Sequence, residues 1–145
     1  MTGSFGFPAA IAALHPDPFT QPFWDAAREE RLVAASCRRC GTFRPMPPGP
    51  FCWECDETDV EWVTLPGTGT VHTFTVVHSA PVPELAHVVP FVIAIIDVNG
   101  APGVRLMSNV VGVTPANGVA IGMRVGVTWD HLPDGTVIPR FAIRD

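Results

Sequence analysis

All four cysteines of this chain fall in one short stretch, as two Cys-x-x-Cys pairs, Cys37/Cys40 and Cys52/Cys55, with eleven residues between them. A two-residue gap lets a tight turn aim both sulfurs at one centre. Two such turns supply the four thiolates that a structural zinc ion takes as its tetrahedral shell. Gly41 follows the first pair, where the turn asks for a left-handed residue, and Asp56 stands at the equivalent place in the second. The spacing predicts a zinc ribbon. Paired disulfides would need an oxidising compartment, and a redox Cys-x-x-Cys comes singly beside a βαβ pattern. Four thiolates suit iron as well as zinc, so ligand type alone leaves rubredoxin-like iron open. A closed shell keeps no position for substrate, which makes the metal structural, one ion per chain.

Charge narrows the function classes. The formal charge is −5, there is no lysine, and five of the nine arginines lie between Arg28 and Arg44. An acidic, lysine-free chain is a poor general ligand for nucleic acid, which needs cations against its phosphates. The arginine cluster either offsets the thiolate charge and keeps the ribbon soluble, or forms a local anion or partner site. Hydrophobic residues make up 47% and charged residues 16%, so some apolar surface is expected to be covered by a partner. No basic leader followed by an apolar run is visible, nor any stretch of membrane-spanning length. With cysteines in a metal pattern, the cytoplasm is the expected compartment.

Along the chain, residues 1–16 are small, apolar and aperiodic, which predicts a flexible tail or an arm ordered only by a partner. Residues 17–31 hold a short helix with Thr20 as its N-cap and Pro22 in its first turn. Its aromatic stripe, Phe19, Phe23 and Trp24, either packs on the chain's own core or docks a partner. Residues 32–58 form the ribbon: a strand over 32–36, then an arm over 42–51 carrying Pro45, Pro47, Pro48 and Pro50, which resists a regular ladder. Phe43, Met46, Phe51 and Trp53 are expected to cover the metal as a small core. Residues 59–145 change to short strands with turn signals: 60–65, 69–79, 89–98, 103–113 and a closing hairpin over 124–132 and 136–143. In the second of these Val71, Thr73, Thr75 and Val77 are expected on one face. Asn99-Gly100 and Asp134-Gly135 supply turn chemistry. The pattern fits a small Greek-key barrel of the OB type, one topology among several. The fold class is therefore mainly β, with a short N-terminal helix, a zinc ribbon and a small barrel.

Chemistry beyond the cysteines is sparse. His15, His72, His78, His87 and His131 are scattered without metal spacing. His78, Glu84 and His87 share a Pro-rich loop in which acid–base work or ordinary loop polarity are both open. Gly67-Thr68-Gly69 is a fragment of a phosphate-loop pattern that reads better as a turn into a strand. No Gly-x-Ser-x-Gly elbow is present, and no catalytic residue is assigned.

The order of these pieces resembles one family, the domain-of-unknown-function 35 family, an OB-fold with a rubredoxin-like zinc ribbon. The residues that carry the resemblance start with Phe23-Trp24-Asp25-Ala26-Ala27-Arg28, Leu32-Val33, both Cys pairs with Gly41, Pro47-Pro48 and Val60-Glu61-Trp62. They continue with Gly67-Thr68-Gly69-Thr70-Val71, Phe74-Thr75-Val76-Val77-His78, Pro90-Phe91-Val92-Ile93-Ala94 and Ile121-Gly122-Met123-Arg124-Val125. Together they cover most of the chain from Asp17 onward. Two positions depart from the pattern: Glu30 and Asp56 stand where the family tends to have glycine. The resemblance implies a non-catalytic accessory subunit of a thiolase-like enzyme, a sterol-carrier-type thiolase or retro-aldolase, acting on acyl-CoA thioesters. In actinobacterial relatives the pathway is often steroid side-chain degradation. On this reading Phe19, Phe23, Trp24, Arg38, Arg39 and Phe43 face the partner in a hetero-oligomer. His78, Glu84 and His87 then form an acyl-CoA loop at the shared interface. The competing readings are a single-stranded nucleic-acid-binding OB domain, which needs basic grooves with exposed aromatics, and a rubredoxin-like electron carrier.

Overall fold

The computed structural model describes residues 5–8 and 14–145; expectations for 1–4 and 9–13 lie outside the described residues. Helix α1 spans Gln21–Arg28 and is followed by seven strands: β1 (Val33–Cys37), β2 (Val60–Thr64), β3 (Thr68–Val77), β4 (Phe91–Val98), β5 (Arg105–Val110), β6 (Arg124–His131) and β7 (Val137–Ile143). A short 3₁₀ turn, Pro83–Leu85, interrupts the loop between β3 and β4. The chain is mainly β, and β3-β4-β5-β7-β6 close into a five-stranded barrel. The order and the β3–β6 closure are those of an OB fold.

β2 corrects the expected division. The strand pattern puts it first in the barrel, but it pairs antiparallel with β1, from Cys37↔Val60 to Val33↔Thr64. The two knuckles thus form the long loop of one hairpin, and β2 closes the ribbon. Pro66, with no N–H to give, and Gly67 at φ 81° then turn the chain into β3.

β3 holds a second correction. Its register slips between Val71 and Thr73. A bulge at His72 moves the following residues to the opposite face. Val71 points inward before it, and Phe74 and Val76 pack on the core after it, while Thr73 and Thr75 are exposed.

One apolar core runs through ribbon, helix and barrel. Phe23, Ala27, Leu32, Val33 and Leu65 join Ile96, Val125, Trp129 and Phe141 in a single cluster. α1 is seated by Phe23, Ala26 and Ala27, all buried. Thr20 occupies the N-cap without a side-chain cap bond. Asp17 braces the turn before the helix, its Oδ1 accepting the N–H groups of Phe19 and Thr20 at 2.9 and 2.8 Å.

The thinnest part of the barrel wall lies between β5 and β7, which pair in parallel only at Val110↔Phe141. The Val111 N–H donates to the Phe141 carbonyl at 2.8 Å. Side chains close the rest of the seam. The Ser108 hydroxyl donates to the Pro139 carbonyl at 2.6 Å, and Arg140 Nη1 donates to Asn109 Oδ1 at 2.7 Å. Phe141, fully buried at this seam, is the packing residue on which closure rests. Phe141→Ala is expected to cost about 3–5 kcal/mol, read as a lower urea midpoint for the zinc-loaded protein.

Candidate functional site

The two knuckles are built alike. The Gly41 N–H donates to the Cys37 carbonyl and the Asp56 N–H to the Cys52 carbonyl, both at 2.9 Å. The Cys37 N–H reaches the Thr42 carbonyl at 2.8 Å, and the Cys52 N–H the Glu57 carbonyl at 2.9 Å. Gly41 and Asp56 both take left-handed φ, 77° and 64°. Glu30, in the turn after α1, does so as well, at 57°. Its carboxylate also meets His131 Nε2 at 2.8 Å, tying the turn after α1 to β6.

The four sulfurs lie within 4.8 Å of one another. Two pairs, Cys37–Cys55 and Cys40–Cys52, stand 3.6 Å apart. A tetrahedron with Zn–S bonds of about 2.3 Å has edges of about 3.8 Å, so the donor set fits a zinc ion. Without a cation, charge on these sulfurs is unevenly held. The Cys40 N–H is the main cause drawing the Cys37 thiol down to about 6, against the effect of burial. Cys55 is pushed up to about 12: the Glu57 N–H pulls it down, but burial and the sulfurs of Cys37, Cys40 and Cys52 prevail. A divalent ion removes this competition by binding all four as thiolates.

Arg44 braces the module from inside. It is buried, with Nη2 donating to the Glu57 carbonyl at 2.6 Å and Nη1 to the Gly49 carbonyl at 3.0 Å. It therefore ties the proline arm to the second knuckle, while Arg38 and Arg39 are exposed. Phe43 and Met46 are half-buried against the core. Phe51 and Trp53, expected to cover the metal, face solvent instead, 61% and 68% exposed. The cause is local: Cys52 between them points inward, so its neighbours point out.

A second feature lies on the barrel. A groove of about 530 Å³ crosses the outer faces of β4, β5 and β7 beneath α1, walled by Trp24, Met46, Leu85, Ile93, Met107 and Ile138. β4 and β5, the second and third strands of the barrel, form with the β3–β4 loop the ligand face of OB folds. Its floor is polar and buried. Arg140 Nε and Nη2 hold Asp130 Oδ2 at 3.2 and 3.1 Å, and the Asn109 amide donates to the Val92 carbonyl at 2.8 Å. Burial lowers the Arg140 pKa while Asp130 supports its charge.

Phe7 closes one end of the groove with Phe5 packed beside it at 5.1 Å between ring centroids, correcting the expectation of a flexible tail for these residues. Their ring centroids lie 4.9 and 5.4 Å from the Arg140 guanidinium carbon, within cation–π reach. Phe7 also meets Phe91 edge-on at 5.3 Å. The Phe5 N–H donates to Asp130 Oδ1 at 3.2 Å, and the His87 ring bonds the Gly6 carbonyl at 3.0 Å.

The sequence-derived residues disperse accordingly. Phe23 is buried in the chain's own core, which corrects its place on a partner surface; Trp24 and Phe43 are half-buried and Phe19 is 45% exposed. His78 and Glu84 are exposed and His87 holds the arm, so the groove-forming members of that loop are Pro81 and Leu85. Among the described residues the four cysteines are the one metal-like cluster of His, Cys, Asp or Glu.

The family of ChsH2 rubredoxin-like zinc ribbon domains matches residues 24–61, and that of ChsH2 C-terminal OB-fold domains residues 62–130. A DUF35 domain-containing scaffold protein of Methanocaldococcus jannaschii is 37% identical over 104 residues, covering 71% of this chain and 70% of that protein. The chain belongs to the DUF35 family. A solved structure described as an Ltp2-ChsH2(DUF35) aldolase superposes with a TM-score of 0.79 at 32% identity, over 90% of this chain and 98% of that one. The 3-oxo-4,17-pregnadiene-20-carboxyl-CoA hydratase alpha subunit of Mycobacterium tuberculosis is 34% identical over 143 residues, which is 89% of this chain; the match spans 42% of that subunit's length. The family places a rubredoxin-like zinc ribbon on the four-cysteine cluster.

Two substitutions test the centre. Cys40→Ser is expected to abolish stoichiometric zinc, measured by elemental analysis, and with it the near-ultraviolet signature of the ribbon, because metal binding and folding are coupled. Asp56→Gly relieves a left-handed Cβ and is expected to stabilise the protein by about 1 kcal/mol in urea unfolding.

Proposed function

We propose that this chain is a non-catalytic accessory subunit of a thiolase-like enzyme, a sterol-carrier-type thiolase or retro-aldolase acting on acyl-CoA thioesters. The observation that carries the reading is the groove. It is large, mostly apolar and set on the ligand face of the barrel, yet among the described residues its lining holds no His, Cys, Asp or Glu. Such a site can lodge an apolar chain but cannot transform it. Two relatives, one described as an aldolase and one as a carboxyl-CoA hydratase subunit, support an acyl-CoA setting. The second supports steroid side-chain degradation as the pathway.

In this reading the ribbon is the handle. Trp53 and Phe51 flank Cys52, and Arg38 and Arg39 hold the corresponding turn of the first knuckle. Both turns are anchored on the same four sulfurs, so the metal presents aromatic and cationic side chains together. Phe19, Trp24 and Phe43 extend the surface toward the groove, where the acyl-CoA lies at the shared interface. The complex is a cytoplasmic hetero-oligomer. No helix is long and apolar enough to cross a membrane among the described residues. A nucleic-acid role needs cations along the OB face, whereas among the described residues the groove offers Arg140 alone, already held by Asp130.

Co-expression with a thiolase-type chain should yield a co-purifying complex that cleaves or thiolyses acyl-CoA only when both chains are present. Turnover by the isolated chain overturns the reading. Trp53→Ala is expected to weaken capture by about 2 kcal/mol, roughly thirtyfold, with zinc content unchanged.

A further inference from the structure

At the opposite end of β7 from the groove floor a second, polar cavity of about 540 Å³ opens over the β3–β6 closure. It is lined by Thr68, Gly69, Thr70, Asn99, Arg124, Val125, Arg144 and Asp145. Arg124 and Arg144 face each other across the β6–β7 ladder. They continue the register of Val125↔Ile143, and the Arg144 N–H donates to the Arg124 carbonyl at 2.8 Å. Like charges directly opposite on antiparallel strands are destabilising. Neither guanidinium has an ion pair or a side-chain hydrogen bond among the described residues. The one acid lining the cavity is Asp145.

Arg144 is also seated. A Cβ on Gly126 would stand 2.5 Å from Arg144 Cδ and 2.7 Å from its Nε. Gly126 is absent from the positive-φ glycines, so its backbone does not require glycine. What the missing side chain provides is room for the arginine to lie across β6. The neighbouring polar groups are arranged as donors. The Asn99 amide donates to Thr68 Oγ1 at 2.8 Å, which leaves the Thr68 proton free to point elsewhere. The Thr70 hydroxyl has no partner among the described residues, and it stands two residues along the same strand.

We propose that this cavity is an anion site for a phosphate-bearing ligand, held by the Arg124 and Arg144 guanidinium forks with the Thr68 and Thr70 hydroxyls. Paired guanidinium forks match phosphate oxygens in charge and geometry. The site is independent of the proposed acyl-CoA role: it lies about 13 Å along β7 from Arg140, at about 3.3 Å per residue, and needs no partner chain.

The test uses the zinc-loaded full chain alone, titrated calorimetrically at low ionic strength with inorganic pyrophosphate, with ADP as the nucleotide arm and sulfate as the control. Pyrophosphate is expected to bind at one site and more tightly than sulfate. Arg124→Gln and Arg144→Gln should each weaken it at least about tenfold, with zinc content unchanged. Tighter binding of ADP identifies a nucleotide source, and equal binding a free phosphate. Gly126→Ala keeps both charges but unseats Arg144, and it too should weaken binding. Asp145→Asn should strengthen it. Absence of pyrophosphate binding, binding equal to that of sulfate, or binding untouched by both Arg144→Gln and Gly126→Ala overturns the proposal.

Discussion

The buried pair Asp130–Arg140 is the interaction on which the barrel and its groove jointly depend. β5 and β7 share one parallel pair, so backbone bonds alone barely join them. Arg140 spans the gap: it holds Asp130 on β6, reaches Asn109 on β5, and Asn109 in turn holds the Val92 carbonyl on β4. Four strands are thereby linked through one guanidinium. A buried pair of this kind stabilises little against an apolar replacement, because desolvation consumes most of the attraction. Its value is directional. Apolar side chains would pack at many registers, whereas these bonds are satisfied at one. The same guanidinium then forms the floor of the groove and the seat for Phe5 and Phe7, so closure of the fold and shape of the site have a common origin.

The ribbon depends on the metal in a different way. Its chain is a hairpin whose loop has too few apolar side chains facing inward to fold on contacts alone, since Phe51 and Trp53 point outward. Cys37 and Cys52 are buried, and Arg44 holds the carbonyls behind them. The arginine contributes positive charge close to a centre that carries net negative charge with a divalent ion and four thiolates. The ribbon is nevertheless continuous with the barrel. Leu32, Val33 and Leu65 enter the same core as Phe141, and the Leu65 N–H donates to the Leu32 carbonyl at 2.8 Å. Order at the knuckles is therefore passed to the barrel through packed side chains.

Much of this was legible from the residues. Cysteine spacing fixes the sulfur geometry because two-residue knuckles have few conformations. Gly100 and Gly135 turn where their dipeptides indicate, both at positive φ. The closing hairpin and the family pattern followed. What was illegible shares one cause: it depended on partners distant in sequence. β2 alternates well enough for either sheet, and only the return of the chain through both knuckles brings it to β1. The bulge at His72 leaves no local mark, yet it reverses a whole face of β3. Arg140 reads as an ordinary strand arginine until Asp130 and Asn109 arrive from two neighbouring strands. Phe5 and Phe7, in an aperiodic segment, find their seat on Phe91 and Arg140 far along the chain.

The outward turn of Trp53 also equips the molecule with its own optical reporter. The chain has four tryptophans and no tyrosine, so its near-ultraviolet emission comes almost wholly from indole. Trp129 is buried, Trp24 and Trp62 are half-buried, and Trp53 is 68% exposed. A collisional quencher would therefore reach the ribbon tip first, and a blue shift with loss of quenching would signal that this tip had been covered, with no dye or tag attached.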